Sequence, residues 1–405
     1  MRRKRTAGIK TLAAILGLWA AAGAVLTGCR TGGGSGTEAG LRPLELPSLE
    51  YRGRLELEYA EQFAVDLYQD GFQVLTVADG SRMLLVPEGK EAPKHVPEET
   101  AVVYRPVEKI YLAASAAMDM FRVLDAMDAI RLSGTDADGW YIKEAREAMK
   151  SGRILYAGKY SAPDYERILA EECGLAVENT MISHAPEVRE KLEGFGIPVA
   201  VDYSSYETEP LGRMEWIKFY GALTGKEAQA AAAFEEQKAA MEAAAEGGAE
   251  GERLPEEGEK KTVAYFYITA AGTVNVRKSS DYVPKLIEMA GGKYVFRDLG
   301  AGRSRNSSVN MQLEEFYSSA KDADFLIYNS AVDGGLETVE ELLGKNGLLA
   351  DFKAVEEGNV WCTARDLYQS SMALGTFAKD LRAMLTGRGE TVYLYRLPSG
   401  EEERQ

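Results

Sequence analysis

Residues 226–245 have the sequence KEAQAAAAFEEQKAAMEAAA, a run of mostly alanine, glutamate, glutamine and lysine that contains neither proline nor glycine. These residue types favour the α-helix because they lose little side-chain freedom in it. At ~1.5 Å per residue, a helix of about 20 residues is a rod of roughly 30 Å. We therefore predict one long helix over residues 226–246, long enough to join two separate lobes.

Short apolar runs alternate with amphipathic stretches on both sides of this helix, over residues 106–225 and 262–405. Ile110 to Ala113, for example, is an apolar run that precedes the amphipathic stretch Met118 to Met127. Such alternation is typical of parallel sheets with helices on both faces. The sequence thus predicts an α/β fold with two lobes, each built on a mostly parallel sheet.

Two further segments fall outside this pattern. Within residues 51–105, Leu55, Leu57 and Tyr59 alternate with charged residues, and the runs 72–77 and 83–86 are separated by a turn at Ala78-Asp-Gly-Ser81. This pattern predicts a small β meander belonging to the first lobe. Residues 247–261 are acidic and contain several glycines and a proline. We expect them to form an exposed linker or insert between the helix and the second lobe.

The N-terminal 28 residues have the organisation of a secretion signal. Five basic residues precede an apolar run over residues 11–25, which is too short to span a bilayer comfortably. The run ends in Leu26-Thr27-Gly28-Cys29, which resembles the bacterial lipobox. This resemblance implies cleavage of residues 1–28 and diacylation of the Cys29 thiol; an ordinary secretory signal with an incidental cysteine is the alternative. Residues 29–50 are then expected to be a flexible tether.

The mature chain is strongly acidic. Removal of residues 1–28 takes away five positive charges and no negative ones, so the formal net charge goes from −16 to −21. Nucleic acids and anionic lipid surfaces are bound through concentrated lysine and arginine, so neither is an expected partner surface. Cys173 and Cys362 fall in different predicted lobes, and we expect no disulfide between them. We expect a monomer.

Three stretches carry a resemblance to a known family. They are YSSYETEPLGRMEWIKFYG at 203–221, LEEFY at 313–317 with ADFLIYN at 323–329, and WCTARDLYQ at 361–369. In this order, and behind a lipobox, they make residues 58–397 similar to the solute-binding lipoproteins of ABC importers for iron complexes and cobalamin. The resemblance implies two Rossmann-like lobes joined by one long helix. The acidic insert at 247–261 departs from the family pattern.

Ligands of open parallel sheets bind beyond the carboxyl ends of the strands, which in this fold face a cleft between the lobes. Aromatic faces suit a bulky planar ligand, and cations pair with carboxylate or catecholate oxygens of a ligand whose metal is already chelated. Packing or plain surface exposure is the alternative role for each residue. The candidate ligand-binding residues are Ser115, Met118, Trp140, Tyr141, Tyr156, Lys159, Tyr160, His184 and Tyr203 in the first lobe, and Tyr267, Arg277, Lys278, Arg303, Arg305, Asn329, Trp361 and Tyr368 in the second.

Catalytic and metal-site patterns are weak in this chain. Its two histidines, His95 and His184, are far apart in sequence, which disfavours a histidine-rich zinc or manganese site. The glycine pairs lack the lysine and hydroxyl spacing of a phosphate-binding loop. We therefore expect no enzyme, no metal ligands from the protein and no cofactor apart from the lipid on Cys29. For His184, capping of the helix that starts at Pro186 is the alternative to a place in the cleft.

Glu166 and Glu314 each lie at the start of a predicted helix that follows a turn. Negative charge at a helix N-terminus is favourable by ~0.3–1 kcal/mol, which alone could account for both residues. In the resembled family, one glutamate at this place on each lobe pairs with arginines of the membrane permease. The resemblance thus implies that Glu166 and Glu314 are docking residues, with Glu315 as the alternative to Glu314.

The sequence leaves two classes of function open. In the first, a lipoprotein on the outer side of the cell membrane binds a metal chelate, a ferric siderophore or other iron complex, and delivers it to the permease and ATPase of an ABC importer. Haem or a corrinoid, bound by the same mechanism, is an alternative ligand. In the second, the same fold is a surface sensor or adhesion module without a role in transport.

Overall fold

The computed structural model of the chain describes residues 42–246, 253–300, 307–331 and 334–399. The predicted secretion signal with Cys29, and the candidate binding residues Arg303 and Arg305, lie outside the described residues. In the ranges that are described, no helix has both the length and the apolar character needed to cross a membrane.

A five-stranded sheet forms the N-terminal part of the folded chain. Its first four strands make an antiparallel meander, and the fifth pairs in parallel with the fourth. In spatial order the strands are β1 (Tyr51–Arg54), β2 (Phe63–Tyr68), β3 (Gln73–Val77), β4 (Arg82–Val86) and β5 (Thr100–Tyr104).

Both faces of this N-terminal sheet are covered. On one face, the Phe63 ring packs against the Trp216 indole of the first lobe, with ring centroids 4.8 Å apart. On the other face, Leu44 and Leu46 are buried in a separate apolar cluster. The prediction of a flexible tether over residues 29–50 is therefore wrong at its C-terminal end, because apolar side chains from Leu44 onward belong to the folded body.

The first lobe is built on a sheet of five parallel strands with helices on both faces. The strands are, in the order of the sheet, β12 (Val199–Asp202), β11 (Leu175–Asn179), β6 (Ile110–Leu112), β7 (Ile130–Ser133) and β8 (Leu155–Tyr156), and a small hairpin of β9 (Gly158–Lys159) and β10 (Ala162–Pro163) follows β8. The helices are α1 (Ala117–Val123), α2 (Lys143–Lys150), α3 (Tyr165–Ala170), α4 (Pro186–Gly194), α5 (Pro210–Glu215) and α6 (Ile217–Thr224).

The long helix α7 spans Glu227–Ala245, within the predicted range. Four of its side chains are buried, and they recur at intervals of three, four and seven residues, which places them along one side of the helix. They are Ala230, Phe234, Met241 and Ala244. The other positions are mostly exposed, so α7 contacts the two lobes through a narrow stripe.

The second lobe contains a seven-stranded sheet in which five strands run in one direction. β14 and β19 are the two antiparallel strands. The strands are β13 (Thr262–Ile268), β14 (Val274–Arg277), β15 (Lys293–Tyr294), β16 (Ser308–Met311), β17 (Phe325–Tyr328), β18 (Val360–Thr363) and β19 (Leu394–Arg396). The helices are α8 (Tyr282–Met289), α9 (Leu313–Ala320), α10 (Val339–Lys345), α11 (Lys353–Glu356) and α12 (Leu374–Thr386).

Two glycines let one helix of each lobe lie close to α7. A Cβ atom built on Gly221 in α6 would lie 2.6 Å from the Ala230 Cβ, and one on Gly375 in α12 would lie 3.0 Å from the Ala240 Cβ. Both distances are shorter than normal contacts between these atoms. Helix α7 is therefore packed tightly against both lobes, and the predicted architecture of two α/β lobes joined by one long helix is confirmed.

Candidate functional site between the lobes

The parallel strands of the first lobe end at a common edge. The register pairs Leu112 of β6 with Ser133 of β7, and Ser133 with Tyr156 of β8. Three of the candidate residues lie at this edge or in the loops that follow it: Ser115 and Tyr141 are half-buried and Tyr156 is exposed. The first lobe thus presents hydroxyl and aromatic groups at the carboxyl ends of its strands.

The second lobe has an equivalent edge. Phe266 of β13 pairs with Tyr328 of β17, so the next residues, Tyr267 and Asn329, both lie at the carboxyl ends of parallel strands. Tyr267 is half-buried, whereas Asn329 is buried. The Asn329 Oδ1 atom accepts a hydrogen bond from the Ala331 N–H at 3.1 Å. The structure therefore gives Asn329 a role in closing its own turn.

The two carboxyl edges meet at a pair of tyrosines. The rings of Tyr141 from the first lobe and Tyr368 from the second pack edge to face, with centroids 6.2 Å apart. Next to them, the buried Gln369 side chain accepts a hydrogen bond from the Tyr141 N–H and donates one to the Gly139 carbonyl oxygen, both at 2.8 Å. We call the carboxyl-edge loops around this tyrosine pair the interlobe site. Sequence reasoning missed Gln369, although it directly follows the candidate Tyr368.

Met118 and Trp140 are not in the interlobe site. Both side chains are completely buried in the main apolar core. The Trp140 Nε1 atom donates to the Ser133 Oγ at 3.1 Å and to the Thr135 carbonyl oxygen at 3.2 Å. The prediction that these two residues contact a ligand is therefore wrong, because their side chains point into the lobe although they follow strand ends in sequence.

Arg277 and Lys278 follow the end of a strand, but that strand is antiparallel. Phe266 pairs with Val276, so Arg277 lies beside Tyr265 in the interior of β13. The Arg277 guanidinium is 3.9 Å from the Asp281 carboxylate, and this negative charge raises the pKa of Arg277 although burial opposes the shift. The prediction that these two cations lie at the carboxyl edge is wrong, because the direction of β14 takes them away from it.

Trp361 lies inside β18, where it pairs with Ile327 on one side and Arg396 on the other. Its side chain is half-buried. Its indole Nε1 is buried and has no hydrogen-bond partner in the described part of the chain. Trp361 is thus one residue further from the carboxyl edge than Cys362, and its place in the site stays a prediction.

The remaining first-lobe candidates are at the surface. Lys159 and His184 are exposed, and Tyr160 is half-buried next to the hairpin of β9 and β10. The N-cap of α4 is Ala185, which offers no side-chain hydrogen bond, so His184 does not cap this helix. A contact between these three residues and a ligand remains a prediction.

Tyr203 links the first lobe to the N-terminal sheet. Burial, together with the neighbouring negative charge of Asp79, raises the pKa of the Tyr203 hydroxyl to about 12. The same Asp79 carboxylate accepts a hydrogen bond from the Arg189 Nη1 of α4 at 2.8 Å. The Tyr203 ring also packs edge to face on Tyr206, with centroids 5.6 Å apart. The Tyr203 side chain therefore has neighbours on two sides, the Asp79 carboxylate and the Tyr206 ring.

The proposed docking glutamates are both exposed. Glu166 lies in the first turn of α3, which is capped by the Asp164 side chain, and Glu314 lies in the first turn of α9 beside the equally exposed Glu315. These two helices belong to different lobes. The structure therefore leaves Glu166 and Glu314 accessible to a partner, and it does not distinguish Glu314 from Glu315.

Metal ions in proteins are usually held by His, Cys, Asp and Glu side chains. In the ranges described above, no group of three or more His, Cys, Asp or Glu side chains is arranged to hold a metal ion. Cys173 and Cys362 are both buried and form no disulfide with each other.

Comparison with known proteins identifies the fold. No protein-family model matches the chain. Two uncharacterized lipoproteins of Methanocaldococcus jannaschii are similar in sequence. One is 25% identical over 313 residues, which make up 74% of this chain and 70% of that protein. The other is 25% identical over 355 residues, 84% of this chain and 86% of that protein.

Three solved structures share the architecture. A possible iron-binding, periplasmic solute-binding protein from Staphylococcus epidermidis superposes with a TM-score of 0.53 at 16% identity, covering 69% of this chain and 99% of that one. The periplasmic haem-binding protein HutB of Vibrio cholerae superposes with a TM-score of 0.53 at 17% identity, covering 68% of this chain and 98% of that one. The protein of an ABC-type Fe3+-hydroxamate transport system from Saccharomonospora viridis superposes with a TM-score of 0.52 at 19% identity, covering 70% of this chain and 94% of that one.

The fold is that of these periplasmic binding proteins, with two α/β lobes joined by a long helix. The resemblance inferred from the sequence is thus confirmed at the level of the fold. The two proteins that are similar to this chain in sequence are both named as lipoproteins.

Proposed function

We propose that this protein is the substrate-binding lipoprotein of an ABC importer, and that it carries a metal chelate, a ferric siderophore or other iron complex, in the interlobe site. The observation that carries this proposal is the meeting of the two carboxyl edges at Tyr141 and Tyr368, one aromatic side chain from each lobe. Ligands of parallel α/β sheets bind at such edges, and aromatic faces pack against bulky conjugated ligands. The proteins of similar structure include a possible iron-binding protein, a haem-binding protein and a protein of an Fe3+-hydroxamate transport system, which agrees with this chemistry.

The test is a binding titration of the protein without residues 1–29 against several ferric siderophores, haem and cobalamin. Binding is measured by calorimetry and by the change in absorbance of the ligand. We expect one ferric siderophore or related iron complex to bind with one-to-one stoichiometry. Haem or cobalamin as the tight ligand would replace the iron complex in the proposal. If no member of the panel binds, the assignment of a metal chelate is wrong, and a surface sensor or adhesion module becomes the better hypothesis.

The place of the ligand is tested with two tyrosine variants. Tyr141→Ala combined with Tyr368→Ala removes the aromatic pair and should lower the affinity by about 10-fold or more, a loss of about 1.4 kcal/mol. The matched control is Tyr104→Ala, because Tyr104 is 59% exposed on the edge strand β5 of the N-terminal sheet. Equal affinities for the double variant and the control would place the ligand elsewhere.

Delivery would depend on the exposed glutamates Glu166 and Glu314, one on each lobe. We expect Glu166→Ala with Glu314→Ala to abolish uptake in cells while the purified variant keeps its affinity within a few-fold, because charges at the rim of an interface mainly affect docking. A control pair is Glu144→Ala with Glu236→Ala, since these glutamates are also exposed on helices. Normal uptake by the first pair would refute the docking role.

A further inference from the structure

The short segment 369–372 of the second lobe, just before α12, is bonded directly to the first lobe. The Gln369 side chain is fully buried and uses all its hydrogen-bonding capacity along this contact. Its Oε1 atom accepts from the N–H groups of Tyr141 at 2.8 Å and Ile142 at 3.3 Å. Its Nε2 atom donates to the Gly139 carbonyl oxygen at 2.8 Å and to the Tyr368 hydroxyl at 2.9 Å.

Two further bonds extend the same contact. The Asp119 carboxylate, buried in the first turn of α1, accepts from the Met372 N–H at 2.8 Å. Arg122 holds the other oxygen of this carboxylate, at 2.8 Å from its Nε. The Ser371 hydroxyl donates to the Ala116 carbonyl oxygen at 2.7 Å. Segment 369–372 therefore binds the loop after β6 and the loop after β7 at once.

This contact lies beside the tight packing of the lobes on α7. The segment leads directly into α12, whose Gly375 approaches Ala240 of α7. Helix α7 and segment 369–372 are thus two separate connections between the lobes. Every partner in the second connection is a protein atom, so it needs no ligand to form. Separation of the lobes here would expose a buried amide and a buried carboxylate, whose partners would have to be replaced by water.

We propose that Gln369, Ser371 and Asp119 form an interlobe clasp, a set of positioning residues that keeps the carboxyl edges of the two lobes in contact and sets Tyr141 against Tyr368. The clasp fixes the separation of the two carboxyl edges, so that any widening of the interlobe site has to break these hydrogen bonds. Gln369 contributes the most hydrogen bonds to the clasp, because among the three residues it alone bonds to three residues of the opposite lobe, Gly139, Tyr141 and Ile142. The existence of the clasp does not depend on the proposed transport function.

The first test measures amide hydrogen exchange in the full chain without ligand. Gln369→Ala removes the acceptor of the Tyr141 and Ile142 N–H groups, which should then exchange at least about 10-fold faster. The matched control is Gln312→Ala, because Gln312 is an exposed glutamine of the same lobe whose side chain caps no helix. Unchanged exchange at residues 141 and 142 in the Gln369 variant would overturn the proposal.

The second test measures the distance between the lobes. Spin labels attached through Glu144→Cys in α2 and Lys379→Cys in α12, both exposed positions, report the separation of the lobes in a Cys29→Ala background. We expect Gln369→Ala to broaden or lengthen the distance distribution and Gln312→Ala to leave it unchanged. A lower unfolding temperature with an unchanged distance distribution would mean that Gln369 only stabilises its own loop, and would overturn the clasp.

A milder variant covers the case in which Gln369→Ala fails to fold. Ser371→Ala removes a single hydrogen bond, to the Ala116 carbonyl, and leaves no buried charge. It should produce a smaller change in the same direction in the interlobe distance distribution. Failure of the chelate titrations would leave these measurements untouched, since neither contains a ligand. An unbroadened distribution in a folded Ser371→Ala protein would count against the clasp.

Discussion

Glu178 is a buried carboxyl group whose ionisation should make the stability of this protein depend on pH. It lies in β11, the second strand of the first-lobe sheet, with none of its side chain exposed. Neither carboxylate oxygen has a hydrogen-bond partner in the described part of the chain. Its charge would act on the hydroxyls of Tyr111 and Tyr165, whose pKa values it helps burial to raise. Burial raises the pKa of Glu178 from 4.5 to about 8.

The sign of the effect follows from proton binding. Between pH 4.5 and about 8 the folded protein binds the Glu178 proton and the unfolded chain releases it, so the free energy of unfolding falls as the pH rises. The contribution is fully present below pH 4.5 and is lost once the pH exceeds about 8. At about 1.4 kcal/mol per pH unit at most, the loss between pH 5 and pH 7 is roughly 2–3 kcal/mol.

The assay is urea unfolding of the wild type and of Glu178→Gln at pH 5, 6, 7 and 8. Other groups titrate over this range, so the informative quantity is the difference between the two free energies of unfolding. We expect this difference to move in favour of Glu178→Gln by roughly 2–3 kcal/mol from pH 5 to pH 7, because glutamine cannot ionise. Glu187→Gln, at an exposed position of α4, is the matched control substitution. Parallel profiles for Glu178→Gln and the wild type would refute the reasoning.

Three further predictions concern Cys29, Gly375 and Glu215. Cys29→Ala should release the protein from the membrane fraction or leave it unprocessed, because two acyl chains are needed for stable anchoring; incorporation of labelled fatty acid equal to that of the wild type would exclude lipidation at Cys29. Gly375→Ala should lower the free energy of unfolding by about 1–3 kcal/mol through crowding against α7, whereas Gly344→Ala, in a helix position with open space around it, should raise it by about 0.5–1 kcal/mol. Equal effects of the two glycine changes in urea unfolding would mean that α12 does not pack closely on α7. Glu215→Ala should lower the free energy of unfolding by about 3 kcal/mol, because the buried Glu215 carboxylate accepts hydrogen bonds from the three backbone N–H groups of residues 58–60. Amide hydrogen exchange checks this, since these three amides should exchange faster in the variant. Unchanged exchange would disprove the contact.

The interlobe site shows where reasoning from sequence succeeds and where it fails. Tyr141 and Tyr368 follow predicted strands, and the structure brings them together from different lobes. Met118 follows a strand as well, yet its side chain is buried in the core. The difference is the direction of each side chain in its loop or helix, which depends on packing by neighbours that are distant in sequence.

The order of the lobes and the long helix were determined by the sequence alone, because helix propensity and the alternation of apolar and polar residues are properties of residues close together in the chain. The tertiary structure alone decided which candidates share a site. The antiparallel direction of β14 removes Arg277 from the carboxyl edge, and Gln369 reaches Gly139 across 230 residues of sequence. Strand direction and hydrogen bonds between lobes are set by atoms that meet only after the chain has folded, so no local pattern around Arg277 or Gln369 contains them.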